Sequence, residues 1–187
     1  MQESPTDKRY LVTLVVNTPE GERQASRVVR VRSRMVHSAI QGDVVFGKFQ
    51  GQAVPVDLPN GKTLFLTYDI RGTVEYELSL PWKGTDQVID GNKVHVVSPD
   101  AYPLIVFFKD LSKPESVTEV PPGTEEEKLG KGYRIRSIFV SRTDRDLDGD
   151  IVTIIPWIKN LSTNLSGRRI TKTNDIDDVL NRSSFLN

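Results

Sequence analysis

RYLVTLVVNTPEGERQASRVVRVR, residues 9–32, decides the fold. Tyr10, Val12, Leu14 and Val16 are apolar at every second position, whereas Thr13 and Asn17 fall on the opposite side. A side-chain period of two belongs to a strand with one buried face, since a helix repeats every ~3.6 residues. Thr18, Pro19, Glu20 and Gly21 interrupt the run with turn chemistry. Beyond the turn, Val29 and Val31 share one face, while Val28, Arg30, Arg32 and Arg34 share the other. The two runs are therefore predicted to pair as an antiparallel hairpin.

The same alternation continues. QAVPVDLPNGKTLFLTY, residues 52–68, holds two β-rich runs around Asn60-Gly61, a dipeptide that suits a type I′ turn because both positions tolerate positive φ. Val54, Val56 and Leu58 are the inward residues of the first run; Leu64, Leu66 and Tyr68 are those of the second. Pro55 has no amide hydrogen to donate, which places its strand at a sheet edge or makes Pro55 a non-bonded position. Residues 73–82 fit a short strand or a helical turn, stopped by Pro81. KVHVV, residues 93–97, follows the turn dipeptide Asp90-Gly91. PLIVFFK, residues 103–109, is a continuous apolar run, the pattern of a central strand covered on both faces.

Residues 114–122 read as loop with a short extended piece, and residues 133–141 as strand. Thr124, followed by Glu125, Glu126 and Glu127, resembles a capping box opening a brief helix that ends at Gly130. The expected architecture is mainly β, a sandwich or a partly open barrel, with one or two short helices. Residues 1–8 read as a flexible leader and residues 9–160 as a single domain. Residues 161–187 read as a polar tail with room for a short helix carrying Ile176, Val179 and Leu180.

A chain of 187 residues can bury a core without covalent staples, and with no cysteine it has none. That composition removes disulfides, thiolate zinc sites and cysteine nucleophiles. Basic and acidic residues balance at 25 each, so no overall field draws nucleic acid or an anionic membrane. No window approaches the ~18 apolar residues of a membrane span. Arg23, Arg27, Arg30, Arg32 and Arg34 form a basic stripe without interleaved aromatics, read as the solvent face of an amphipathic or edge strand.

TDRDLDGD, residues 143–150, is the chemically pointed stretch. Asp144, Asp146, Asp148 and Gly149 match the first four marker positions of a calcium loop, with Asp150 beside them as a further ligand candidate. Ile155 stands where such a loop needs its bidentate glutamate, and Val152 occupies another ligand position. The alternative reading is a solvated acidic turn. His37 and His95 have no neighbours at metal-ligand spacing, and His95 sits within a strand pattern. No G-x-S-x-G, P-loop, G-x-G-x-x-G or H-E-x-x-H is present. Pro81-Trp82 and Pro156-Trp157 repeat a pair that more often packs at an element end than anchors an interface.

Four blocks look like a family of uncharacterised bacterial proteins. They are V-x-T-P-E-G at residues 16–21, A-V-x-V-D-L-P-x-G-x-T-L-F at residues 53–65, Y-P-x-x-V-x-F-x-D at residues 102–110 with P-x-S-V at residues 114–117, and the late P-W at Pro156-Trp157. The resemblance covers about 150 residues, ends before the tail and brings no assigned activity. It implies an export or anchor segment upstream of the mature domain, hence the periplasm or cell envelope. It also marks the aspartate run as a local variation.

Three readings follow. The favoured one is a non-enzymatic, envelope-associated accessory domain whose loops and edge strand bind another protein, without nucleic acid. The others are an immunity or inhibitor protein that grips a toxin through Asp144, Asp146, Asp148 and Asp150, and a metal-assisted enzyme built on those aspartates and His95. The missing nucleophile and phosphate motifs weigh against an enzyme.

Overall fold

β1 (Thr6–Thr18) and β2 (Gly21–Ser38) form the expected hairpin, with Tyr10 opposite Val29 and Thr18 opposite Gly21. The structure is a computed structural model that describes residues 6–38, 42–68, 82–160 and Phe185. β1 begins inside the stretch read as leader. The readings made for residues 73–81 and for the tail helix lie outside the described residues.

β3 (Gly42–Gln50), β4 (Val54–Asp57), β5 (Thr63–Leu66), β6 (Gly84–Ile89) and β7 (Asn92–Val97) follow in order. They are succeeded by β8 (Ile105–Phe108), β9 (Val117–Glu119), α1 (Glu125–Leu129), β10 (Arg134–Arg142) and α2 (Ile151–Ile154). The strands make two antiparallel sheets. One has six strands in the order β3-β2-β1-β10-β7-β6; the other has four in the order β4-β5-β8-β9. Neither sheet closes on itself, so the architecture is a sandwich rather than a barrel.

Alternation decides what lies between the sheets. Val12 and Leu14 of β1, Val29 and Val31 of β2, and Ile138 and Val140 of β10 meet Val54 and Val56 of β4, Leu64 and Leu66 of β5, and Ile105 and Phe107 of β8. The odd partners in the smaller sheet, Phe65, Val106 and Phe108, point the other way, onto Ile151, Ile155 and Ile158 and onto Phe185. The four-stranded sheet is thus a middle layer. This double cover explains the unbroken apolar run of β8, since neither of its faces reaches water. Each such buried Val, Leu or Phe side chain contributes about 1.5–3 kcal/mol of transfer free energy.

β10 carries an irregularity that keeps its inward residues aligned. Val15 pairs with Ser137 but Val16 pairs with Ile135, leaving Arg136 as an extra residue. The bulge lets Ile135 and Ile138 enter the same core although their spacing is odd.

Three local expectations change. Gly61 has φ 79° and Asn60 is not left-handed, while the Gly61 N–H donates to Leu58 O at 3.0 Å and the Leu58 N–H to Lys62 O at 2.8 Å. That is a three-residue hairpin loop rather than a type I′ turn. Both Asp90 and Gly91 have positive φ, 50° and 79°, between the paired Ile89 and Asn92, so the type I′ geometry sits there instead. Thr124 starts α1 without capping it: its hydroxyl turns back to Pro121 O at 2.8 Å. A further helical stretch, α2 followed by a 3-10 turn over Pro156–Asn160, occupies residues with no helix expected.

Candidate functional site

The aspartate run leaves the end of β10 and crosses toward β2. Arg9 of β1 gathers its first half, with Nη1 donating to Asp144 O at 3.0 Å, Arg145 O at 3.1 Å and Asp146 Oδ1 at 2.9 Å. Asp148 Oδ1 then accepts the Val28 N–H at 2.8 Å. β3 stops pairing with β2 at Arg30, so this carboxylate takes an amide that the sheet leaves open. Asp150 ends the crossing on the guanidinium of Arg27.

Gln52 fastens the far side. Its Oε1 accepts the Ile151 N–H at 3.0 Å, and its carbonyl accepts the Tyr68 hydroxyl at 3.0 Å. A Cβ on Gly149 would stand 2.1 Å from Gln52 Oε1, so a side chain there would push the Gln52 amide aside. Burial pushes the Tyr68 phenol up, which keeps it a neutral donor. Residues 143–150 are therefore a strap that delivers α2 beneath the middle sheet.

The four carboxylates named as metal ligands do not converge. Asp146 faces Arg9, Asp148 faces Val28 and Arg145, and Asp150 faces Arg27. Asp144 is exposed and contributes its carbonyl to Arg9. Among the described residues no three acidic, histidine or cysteine side chains are placed to hold a metal ion. Asp146 and Asp150 are engaged by guanidinium groups and Asp148 by a main-chain amide, each in its own direction.

The arginine stripe divides between two faces. Arg30 and Arg32 lie outward and grip Asp7, Arg30 by a two-point bond and Arg32 at 3.4 Å. Arg30 holds the Asp7 carboxyl down at about 2. Arg27 lies opposite the core residue Val12, on the inward side, with its side chain 18% exposed. Arg23 reaches Glu20 at 3.8 Å. An open polar cleft of about 750 Å³ lies nearby, lined by Asp7, Arg9, Arg142, Thr143 and Asp144.

β6 and β7 form the other distinctive element. β7 pairs with β10 only at Val96 and His95, so the rest of the hairpin projects as a two-stranded ribbon. Among the described residues β6 is a sheet edge, and its end carries Val88 at 75% exposure and Ile89 at 37%. The ribbon is clamped at its root. His95 Nδ1 lies 2.8 Å from Asp86 Oδ1 and Nε2 lies 2.5 Å from Trp82 O, while Asp86 also pairs with Lys93 at 2.8 Å. Lys93 first, then His95, holds the Asp86 carboxyl below the usual range. A Cβ on Gly84 would lie 2.1 Å from Val96 O, so the crossing at the root requires glycine.

His95 and the aspartate run are not brought into one constellation: the imidazole is engaged by Asp86 and Trp82, and none of residues 144–150 bonds to it. Both tryptophans pack at element ends. Trp82 stacks on Tyr68 at 6.1 Å, and Trp157 meets Phe108 edge-on while donating to Leu111 O at 2.7 Å. Among the described residues no helix is long and apolar enough to cross a membrane. Comparison with protein-family models, curated proteins and solved structures returns no match.

The exposed ribbon was missed in the sequence because Val88 and Ile89 continue the ordinary strand pattern. Only the short pairing of β7 with β10 leaves them uncovered.

Proposed function

We propose that this chain is a non-enzymatic protein-binding domain of the bacterial cell envelope, and that the β6–β7 ribbon is its contact element. The observation that carries this reading is a strand that lies at a sheet edge among the described residues and bears two exposed apolar side chains, Val88 and Ile89. An edge of this kind accepts an added strand, with main-chain bonds giving affinity and alternate side chains giving selectivity. The envelope location rests on the family resemblance. The acidic strap is a poorer contact surface, since Asp146, Asp148 and Asp150 already bond within the chain.

A photo-crosslinking residue at Val88, in the native host, tests the reading against the same residue at Lys159. One discrete protein adduct at position 88, absent at 159 and lost when Ile89 is changed to Lys, is expected. Identical adduct patterns at both positions, or none, would sink it.

A further inference from the structure

Both ring nitrogens of His95 face oxygen acceptors. Nδ1 lies 2.8 Å from Asp86 Oδ1 and Nε2 lies 2.5 Å from the Trp82 carbonyl, with the side chain 14% exposed. Neither oxygen can donate. Asp86 is ionised, its carboxyl held low by Lys93 and then by His95, and a main-chain carbonyl carries no hydrogen. A neutral imidazole has one N–H and one lone pair, so it serves one of these oxygens and turns its lone pair on the other. An imidazolium serves both.

We propose that His95 is a proton-operated fastener at the root of the β6–β7 ribbon, closed as the imidazolium and open at the Trp82 carbonyl once the ring is neutral. The proton left on a neutral ring stays on Nδ1, because a bond to a carboxylate is roughly twice as strong as one to a neutral carbonyl. Bare Nε2 then faces the Trp82 oxygen, lone pair to lone pair, and the two separate. Little slack absorbs that movement: a Cβ on Gly84 would lie 2.7 Å from Nε2, and the Ser98 N–H donates to Lys83 O at 2.9 Å. A shift at Trp82 is therefore passed to the strands at the root. The closed form holds one proton more than the open form, so it is favoured at low pH and lost as pH rises.

The neighbouring charges are already engaged. Lys93 of β7 sits on the second oxygen of Asp86 at 2.8 Å, and Lys83, on the chain entering β6, pairs with Asp100 at 2.6 Å. β10 places the apolar Val140 opposite His95, and Arg142, two positions on, lies over the Tyr10 ring at 5.6 Å. The inference concerns how the ribbon is fastened and stands whether or not the ribbon binds a partner.

Asp86→Asn makes the test. With its amide oxygen toward Lys93 and its amide NH₂ toward Nδ1, a neutral ring is satisfied on both sides and its Nε2–H keeps the Trp82 carbonyl. Ring-nitrogen NMR and hydrogen-exchange protection of the Ser98 amide are followed from about pH 5 to about pH 8, the range in which imidazoles change charge. His37→Gln in the background leaves one histidine to assign. With Asp86 present, His95 should carry two ring protons at the acid end and one at the other. Ser98 protection should fall roughly fivefold over the same interval, the worth of one hydrogen bond. Asp86→Asn should keep its protection throughout. A ring with a single proton at about pH 5, two protons at both ends of the range, or equal falls in both proteins would overturn the proposal. If Asp86→Asn does not fold, the ring spectrum and Ser98 protection with Asp86 in place decide it alone. Cross-linking at Val88 bears on none of these readings.

Discussion

His95 bridges two acceptors: Asp86 Oδ1 lies 2.8 Å from one ring nitrogen and the Trp82 carbonyl 2.5 Å from the other. The imidazole thereby ties β7 to both the side chain of β6 and the chain that enters it. Replacing His95 with Phe removes the imidazole from the Trp82 carbonyl and leaves Asp86 with Lys93 alone, at a cost of about 1–2 kcal/mol. Amide exchange should accelerate across residues 84–97 and remain unchanged in β4 and β5. Uniform acceleration throughout the chain would mean that the clamp is not local.

Asp7 contributes to the acid limb of stability, alongside the depressed carboxyls of Asp86, Asp100 and Asp110. Its two-point bond to Arg30 depresses the folded carboxyl to about 2 from 3.8. A depressed carboxylate stabilises the fold above its unfolded value and loses that contribution as the pH falls toward its folded one. Wild-type Tm should therefore drop additionally between about pH 4 and pH 2. Asp7→Asn should melt lower at neutral pH and change less across that window. Equal acid slopes for the two proteins would remove Asp7 from the account.

The strap makes a double-mutant prediction. Arg9→Ala and Asp146→Ala should couple by roughly 0.2–1 kcal/mol, the range of exposed ion pairs. Asp146 is 94% exposed, so the coupling should shrink as salt is raised. Urea melts at two ionic strengths measure it.

Calcium at millimolar concentration should leave Tm unchanged. To collect the strap carboxylates, the ion would have to displace Arg9, Arg27 and the Val28 amide, which hold them in different directions. A rise in Tm with metal, as mass action requires for native-state binding, would contradict this geometry.

Phe185→Ala should cost about 3 kcal/mol, the lower end for a fully buried phenylalanine. Chemical denaturation reads it directly. A loss below about 0.5 kcal/mol, the size of an ordinary surface change, would show the ring outside this core in solution.

Period-two alternation made β1, β2, β4 and β5 readable and an unbroken apolar run made β8 so, because burial on a pleated sheet leaves its mark residue by residue. Pro55 likewise marked β4 as an edge strand. The bulge at Arg136 left no such mark, since it depends on the register of a distant partner. α2 has an apolar spacing in Ile151, Ile155 and Ile158, but Pro156 interrupts it and the helix lasts a single turn. The strap was illegible for a different reason. Arg9 and Asp146 are 137 positions apart, and nothing local announces that an arginine on the first strand will meet that aspartate. Arg27 shows how grouping by charge misleads: an odd number in the strand put it on the inward face, away from Arg30 and Arg32.

The middle sheet has no wet side. In an ordinary half-covered strand, a new hydroxyl or amide can be tolerated at alternate positions; in β5 and β8, Leu64, Phe65, Val106 and Phe107 offer no such refuge. A mutational scan should accordingly find those two short strands intolerant at consecutive positions along their whole length, where β1 and β2 are so only at Leu14–Val16 and at Val28 and Val29.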